Sequence, residues 1–178
     1  TAFAAAFYPY GTSRGGNIVT PSAMAAAAIA QADNTQGVWK APANIVINGV
    51  VSLKYPVSDD LQGRFNTTKP LNMFREEPDI GTISWGARTL EDSDNWRYIS
   101  VRRLFNMVEM DIRRSLNKVV FETNGHPVWQ RIKAALDNYL YSLWQQGALV
   151  GNTPKEAWFV EVGKGITMTE GDINQGKL

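Results

Sequence analysis

Two stretches of this chain decide its fold: SWGARTLEDSDNWRYISVRRL, Ser84 to Leu104, and WQQGALVGNTPKEAWFVEV, Trp144 to Val162. Just before and within the first stretch, Ile80 to Ala87 alternates apolar and polar residues, so that Ile83 and Trp85 share one face. A period of two residues is typical of a strand with one buried side. This segment therefore predicts a β-strand.

The remainder of the first stretch changes from a strand pattern to a helix pattern. Glu91 to Asn95 forms an acidic turn, and Tyr98 to Val101 resumes the alternation, which predicts a second, neighbouring strand. From about Arg102 the apolar residues recur at helical spacing and predict a helix of about 15 residues. Its apolar stripe consists of Leu104, Phe105, Val108, Ile112 and Leu116.

The region upstream predicts one helix followed by extended chain. Thr20 can cap a helix whose first residue is Pro21, and the Ala-rich run Ala23 to Ala32 loses little side-chain entropy when helical. Ile45 to Leu53 predicts a strand or a hairpin around Asn48-Gly49. The polar, Pro-containing segment Pro56 to Pro78 predicts a surface crossing, with a short ordered piece at Leu71 to Phe74.

The second stretch closes the longest predicted helix and contains the last predicted strand. Val119 to Phe121 predicts a brief buried strand that ends at the turn Asn124-Gly125. Pro127 then suits the first turn of a helix closed by Gly147. Ala157 to Val162 predicts a final strand, and Gly163 to Leu178 is weakly structured by itself. The buried face of the long helix is predicted from Val128, Trp129, Ile132, Leu136, Tyr139, Leu140 and Leu143.

The order of these elements predicts an α/β (α+β) fold, in which a mixed sheet is flanked by helices. With 178 residues and 44% hydrophobic content, one globular domain covering residues 1–178 is expected. The chain begins at Thr1 rather than Met and stops at Gly176-Lys177-Leu178, so we expect a fragment of a longer parent. It has no run of about 18 apolar residues that could span a bilayer.

Composition and motifs argue against several classes of chemistry. The absence of cysteine excludes disulfides and thiolate sites. The only histidine, His126, stands at a helix entrance, where capping or solvent exposure is expected rather than general base catalysis. Neither a G-x-S-x-G elbow nor a phosphate-binding glycine motif is present. We therefore predict no catalytic residue, no cofactor and no metal site. We interpret Glu76-Glu77 and Glu91-Asp92 as solvated carboxylates in hydrophilic loops, and Asp92 and Asp94 as part of an ordinary acidic turn.

Two pairs of arginines, Arg102-Arg103 and Arg113-Arg114, remain as functional candidates. They can solvate a polar helix face, snorkel over apolar neighbours or bind an acidic protein surface. The net charge of +1 and the interspersed charges disfavour a nucleic-acid interface. Protein contact is therefore the preferred functional interpretation.

Six motifs resemble the C-terminal conserved region of contractile tail sheath proteins, the family that includes phage tail sheaths and the sheaths of contractile injection systems. They occur in the family's order and at similar spacing, and AFYPY (Ala6 to Tyr10) resembles the segment that opens the region. The chain departs from the family in having Ala23, Ala25 and Ala26 where glycines are usual. The six motifs are GVWKAPAN (37–44), WGARTL (85–90), WRYISVRRLFN (96–106), FETNGHPVW (121–129), LWQQGALVG (143–151) and GDINQGKL (171–178).

The resemblance implies the core domain of a structural subunit, without the parent's N-terminal part and C-terminal arm. Such subunits assemble helically around an inner tube, link by strand exchange, and contract by re-packing. Implied partners are other sheath subunits, the inner tube, the baseplate and the tail terminator. The implied location is a virion tail sheath or an equivalent contractile particle, assembled in the bacterial cytoplasm. Because that arm is absent, the chain is expected to fold but to polymerise poorly.

Within this interpretation, candidate contacts with the tube or with a neighbouring subunit are Arg113, Arg114 and Lys118, or alternatively Arg131 and Lys133. Two alternatives remain, an α/β enzyme of unknown substrate and a nucleic-acid-binding module. The first would need a pocket with perturbed titratable groups. The second would bind oligonucleotides with a steep salt dependence.

Overall fold

The computed structural model describes residues 1–66, 70–119 and 121–177, and the chain forms two compact units, Thr1–Asn106 and Met107–Leu178. The boundary falls within the third helix. The expectation of a single domain stays a prediction. The elements, in chain order, are β1 (Ala6–Tyr8), β2 (Gly11–Ser13), β3 (Ile18–Val19), α1 (Pro21–Thr35), β4 (Ile45–Val46), β5 (Val50–Leu53), α2 (Asp59–Gly63), β6 (Leu71–Glu77), β7 (Gly81–Trp85), α3 (Ile99–Leu116), a 3₁₀ turn (Asn117–Val119), α4 (His126–Gln145), α5 (Pro154–Ala157) and α6 (Glu170–Asn174).

The first unit contains two small sheets. A mixed four-stranded sheet has the order β1-β6-β7-β4, with β1 parallel to β6 and the other neighbours antiparallel. An antiparallel three-stranded sheet has the order β3-β2-β5. Helices together with a mixed sheet confirm the predicted α+β class.

Helix α1 forms where its sequence predicts it and supplies one wall of the core. The Thr20 side chain accepts a hydrogen bond from the Ala23 amide, and Pro21 occupies the first turn. Ala25, Ala28 and Ala32 recur at helical spacing and are buried. Because alanine adds little bulk, the helix can approach the strands closely. The core cluster it joins contains Met24, Ala25, Ala28, Ile47 and Phe74.

The segment around Asn48-Gly49 is a turn between two strands, but it does not form a hairpin. Strand β4 pairs with β7, whereas β5 pairs with β2 in the other sheet. Gly49 adopts a φ of 90°, which suits glycine in a turn. The pattern of apolar residues correctly indicated extended chain, but it could not identify the partner of each strand.

Strand β6 corrects the prediction of a surface crossing between Pro56 and Pro78. Its residues 72–75 are all buried, because the strand lies between β1 and β7 and is covered on both faces. Asn72 can be buried because its side chain is hydrogen-bonded. Its Nδ2 donates to the carbonyls of Ala6 and Arg88, at 3.1 and 2.8 Å, and its Oδ1 accepts the Arg88 N–H. Satisfied polar residues of this kind hide a central strand from sequence analysis. Residues 67–69 of the predicted crossing lie outside the described structure.

The predicted strand at Ile80–Ala87 is confirmed as β7, but the one at Tyr98–Val101 is wrong. Ile99 is already the first residue of α3, and Tyr98 forms only an isolated bridge with Arg88. The buried residues Ile99 and Arg102 are three positions apart, which is helical spacing. Helix α3 therefore begins before the position that its apolar stripe indicates.

The second unit is organised by α4. Pro127 lies in its first turn and Gly147, with a φ of 79°, follows its C-cap, as predicted. The predicted buried strand at Val119–Phe121 is wrong at both described ends, because Val119 belongs to a 3₁₀ turn and Phe121 is fully exposed. Val120 lies outside the described residues. The polar tail contains α6, whose capping box joins Thr169 and Asp172.

Candidate interaction surfaces

The side chain of His126 contacts residues of its own helix. It is exposed at the first position of α4, with its ring centroid 6.4 Å from that of Trp129 and its Nε2 3.4 Å from the amide nitrogen of Gln130. General acid–base chemistry needs a proton donor or acceptor aimed at a bound group. The exposed position agrees with the sequence-based interpretation.

The acidic turn before α3 binds an arginine. The Arg97 guanidinium donates to Asp92 and to Asp94, in each case at 3.0 Å. These hydrogen bonds, above all the one that Asp92 accepts, raise the pKa of Arg97. Across the part of the chain that the structure describes, no three His, Asp or Glu side chains group as metal ligands. The second acidic pair, Glu76 and Glu77, ends β6 and is not in a loop.

Arg102 and Arg103 both contribute to contacts inside the first unit. Arg102 is only 7% exposed, and its guanidinium carbon lies 4.2 Å from the ring centroid of Trp96 and 4.9 Å from that of Phe3. Arg103 donates two hydrogen bonds of 2.6 Å to the two carboxylate oxygens of Asp33 in α1. Both arrangements are stabilising, since a cation over an aromatic face and a bidentate pair are favourable. Neither side chain is a free, solvated cation.

The structure exposes all five predicted contact cations on the second unit. Arg113 and Arg114 lie in the last turn of α3, and Lys118 lies in the 3₁₀ turn that follows. Positive charge near a helix C-terminus is favourable, which gives these residues a structural role as well. Arg131 is exposed on α4, where it forms an ion pair with Glu122, and Lys133 is exposed on the same helix. Their role as contacts stays a prediction.

An open groove of about 630 Å³ runs between α3 and α4 beside these cations. Its apolar lining comes from Ile112, Leu116, Val119 and Val128, and Arg113 lies among its charged lining residues. Glu109 and Glu122 also line it, and Glu122 is paired with Arg131. His126 is not among the lining residues, so the groove is not built around the histidine.

The segment Trp158–Val162 has a strand's sequence but no strand partner. The predicted strand at Ala157–Val162 is wrong here, because Ala157 ends α5, the Trp158 N–H donates to the Pro154 carbonyl at 3.2 Å, and residues 158–162 belong to no described strand. Within the described ranges, no residue forms a backbone hydrogen bond with Phe159–Val162. Burial still alternates along the segment, and Phe159 is 83% exposed. The segment therefore presents the features of an open strand edge.

Exposed apolar side chains are a feature of the second unit that sequence analysis missed. Phe121 is fully exposed, and Val150 is 94% exposed. Both lie in loops, and each follows apolar residues in the sequence. The sequence alone therefore suggests that they are buried. Large exposed apolar side chains beside a groove and an open strand are typical of an interaction surface. No helix among residues 1–66, 70–119 and 121–177 is both long and apolar enough to cross a membrane.

Comparison with known proteins identifies the family of this chain. Residues 91–175 match the family model described as the phage tail sheath C-terminal domain. The chain belongs to the contractile tail sheath family. No curated protein sequence matches it significantly.

Solved sheath structures match over the whole chain. A chain of the anti-feeding prophage (AFP) baseplate in the contracted state is 64% identical, with a TM-score of 0.93, over 100% of this chain and 51% of that chain. The contracted PVC sheath complex of an extracellular contractile injection system gives 50% identity and a TM-score of 0.94, over 99% and 50% of the two chains. The chain thus spans about half the length of these relatives.

A more distant match shares only the fold. The sheath tail protein from Listeria innocua is 16% identical, with a TM-score of 0.66, over 83% of this chain and 37% of that chain. The fold is therefore retained at low sequence identity.

Proposed function

We propose that this chain is the core of a structural subunit of a contractile tail sheath. Copies assemble helically around an inner tube and re-pack during contraction, so that the tube is driven through a target envelope. A heterologous contact repeated with a fixed rotation generates such a helical array. The sheath relatives and the surfaces of the second unit support this proposal. The work is mechanical, and it includes no catalytic step and no cofactor.

The observation that carries the proposal is the unpaired segment Trp158–Val162. Phe159–Val162 form no backbone hydrogen bond with another described residue, so their backbone groups can pair with an added strand, and burial alternates along the segment as strand addition requires. We propose that a strand of a neighbouring sheath subunit pairs here. The inner tube, the baseplate and the tail terminator are the further proposed partners. The proposed location is a virion tail sheath or an equivalent contractile particle, assembled in the bacterial cytoplasm.

Substitution of Val160 tests strand addition without breaking a hydrogen bond inside the chain. Val160→Pro removes the backbone N–H that an added strand would use, whereas the matched control Val160→Ala shortens the side chain and keeps the N–H. Both variants are made in a sheath protein of the relatives' full length that contains this chain. We expect hollow striated tubes in negative-stain micrographs for the control and their loss for Val160→Pro, with equal thermal melting.

Two results would contradict the proposal. Tubes that form equally well with Val160→Pro would exclude strand addition at this segment. A control protein that remains monomeric at high concentration would exclude the sheath function itself.

A further inference from the structure

The groove between α3 and α4 faces solvent, and the surface that could fill it has to be apolar with acidic flanks. Its floor is formed by Ile112, Leu116, Val119 and Val128. Arg113 lies beside these residues, and Arg114 and Lys118 follow on the same exposed end of α3. None of these three cations forms an ion pair with another described residue. The groove therefore combines apolar contact area with unpaired positive charge.

The turn between β6 and β7 offers the complementary surface. Ile80 is 59% exposed at its tip, beside the exposed carboxylate of Asp79 and the half-buried Glu77. The turn is well defined, because Ile80 donates a backbone hydrogen bond to Glu77 at 3.2 Å and Glu77 stands opposite Gly81 in the strand pairing. The sequence EEPDIGT of residues 76–82 contains no basic residue. The turn thus presents an apolar tip flanked by negative charge.

We propose that the β6–β7 turn of one copy of this chain docks in the α3/α4 groove of a second copy. Ile80 contacts the apolar floor, and Asp79 and Glu77 pair with the cations at the end of α3. Because the turn and the groove are different surfaces, the contact is heterologous and can continue from copy to copy. The inference rests on the proposed function and names the acidic surface that the cations meet. It assigns Arg113, Arg114 and Lys118 to a neighbouring subunit.

Charge favours a second copy as the occupant, because the β6–β7 turn carries exposed acidic side chains beside an apolar tip. Two acidic residues, Glu109 and Glu122, also line the groove and weaken the attraction, although Glu122 is already paired with Arg131. Exposed ion pairs are individually weak, so the apolar contact of Ile80 has to supply part of the affinity and the charges select the register.

Cysteine cross-linking tests the contact, since the chain has no native cysteine. Pro78→Cys is introduced in one sample, and Asn117→Cys, in the lining of the groove, in a second sample that carries a size-shifting tag. The two are mixed and oxidised, so that a mixed dimer can form only between different molecules. We expect the mixed dimer in clear excess over that of a Gln31→Cys control, which places the thiol on the exposed face of α1.

Charge reversal then distinguishes this contact from chance collision. The double substitution Arg113→Glu and Arg114→Glu in the Asn117→Cys molecule should lower the yield of the mixed dimer about fivefold. Asp79→Lys in the Pro78→Cys molecule should restore that yield. A yield no higher than that of the Gln31→Cys control overturns the inference, as does a yield that charge reversal leaves unchanged. Tube formation is scored separately. Tubes without this cross-link overturn the inference alone, whereas a monomeric full-length control overturns the proposed function.

Discussion

The hydrogen bond between Tyr139 and Asp111 joins α4 to α3 within the second unit, and its removal tests how that unit is stabilised. The Tyr139 hydroxyl donates to Asp111 Oδ2 at 2.8 Å, and both residues are half-buried. Burial, and then the hydrogen bond and charge of Asp111, raise the pKa of Tyr139. Tyr139→Phe removes only the hydroxyl, so the packing of the ring is retained.

The expected cost follows from the charge of the acceptor. A hydrogen bond to a charged group contributes about 1.5 to 3 kcal/mol to the free energy of unfolding. Because this bond is partly exposed, we expect a contribution of about 1.5 kcal/mol. With a urea dependence of about 2 kcal/mol per M, the midpoint of unfolding should fall by about 0.7 M. The change is therefore large enough to measure by tryptophan fluorescence.

Tyr141→Phe is the matched control, because Tyr141 is 42% exposed and its hydroxyl has no hydrogen bond to a described residue, whereas phenylalanine keeps its ring contacts with Trp144 and Trp158. The pH dependence has a definite sign. Because the pKa of Tyr139 is raised on folding, its stabilisation is complete below the unfolded pKa of about 10 and is lost as the pH rises towards the folded pKa. The difference between the parent protein and Tyr139→Phe should shrink above about pH 10. A midpoint for Tyr139→Phe within about 0.2 M of the control at pH 7 would refute the reasoning.

Two further predictions concern the first unit and the end of the chain. Arg103→Lys should lower the free energy of unfolding by about 1 kcal/mol, because lysine cannot form the bidentate pair with Asp33, whereas Arg114→Lys on the exposed end of α3 should have no effect in the same urea titration. Thr169→Val should speed amide exchange in α6 roughly fivefold, whereas Thr153→Val, at an N-cap without a side-chain bond, should not. The Thr169 hydrogen bond lowers the pKa of Asp172. The protection of the α6 amides by the capping box should therefore persist above about pH 4 and be lost as the pH falls further. Equal exchange in the two threonine variants would exclude a role for the capping box.

Sequence predicted the elements whose signals are local. Thr20, Pro21 and Gly147 mark helix ends through capping and backbone geometry, and the structure confirms all three. The alternation in Ile80–Ala87 likewise predicted β7. These signals depend on a few adjacent residues and not on the tertiary partner.

The elements that sequence analysis misassigned depend on distant partners. Strand β6 shows no alternation, because residues on both of its faces are buried and its Asn72 is satisfied by carbonyls far along the chain. Trp158–Val162 is the opposite case. Its alternation predicted a strand, but the segment has no strand partner among the described residues. The five candidate cations could be located on exposed surfaces, but their partners require an assembly. Sequence thus placed the candidate cations on exposed surface, and their role as contacts stays a prediction.

The distribution of buried apolar residues gives a physical reason for the second unit to self-associate. Of the thirteen buried hydrophobic residues in the part of the chain that the structure describes, nine lie in Thr1–Asn106, and the other four, Val128, Ile132, Leu143 and Met168, lie in Met107–Leu178. A small unit with so few buried side chains gains stability when an oligomer covers its apolar surface. The exposed Phe121, Phe159 and Val150 belong to this same unit. A sheath subunit that changes its neighbours requires a surface of this kind, because only residues left unburied inside the chain can exchange one partner for another.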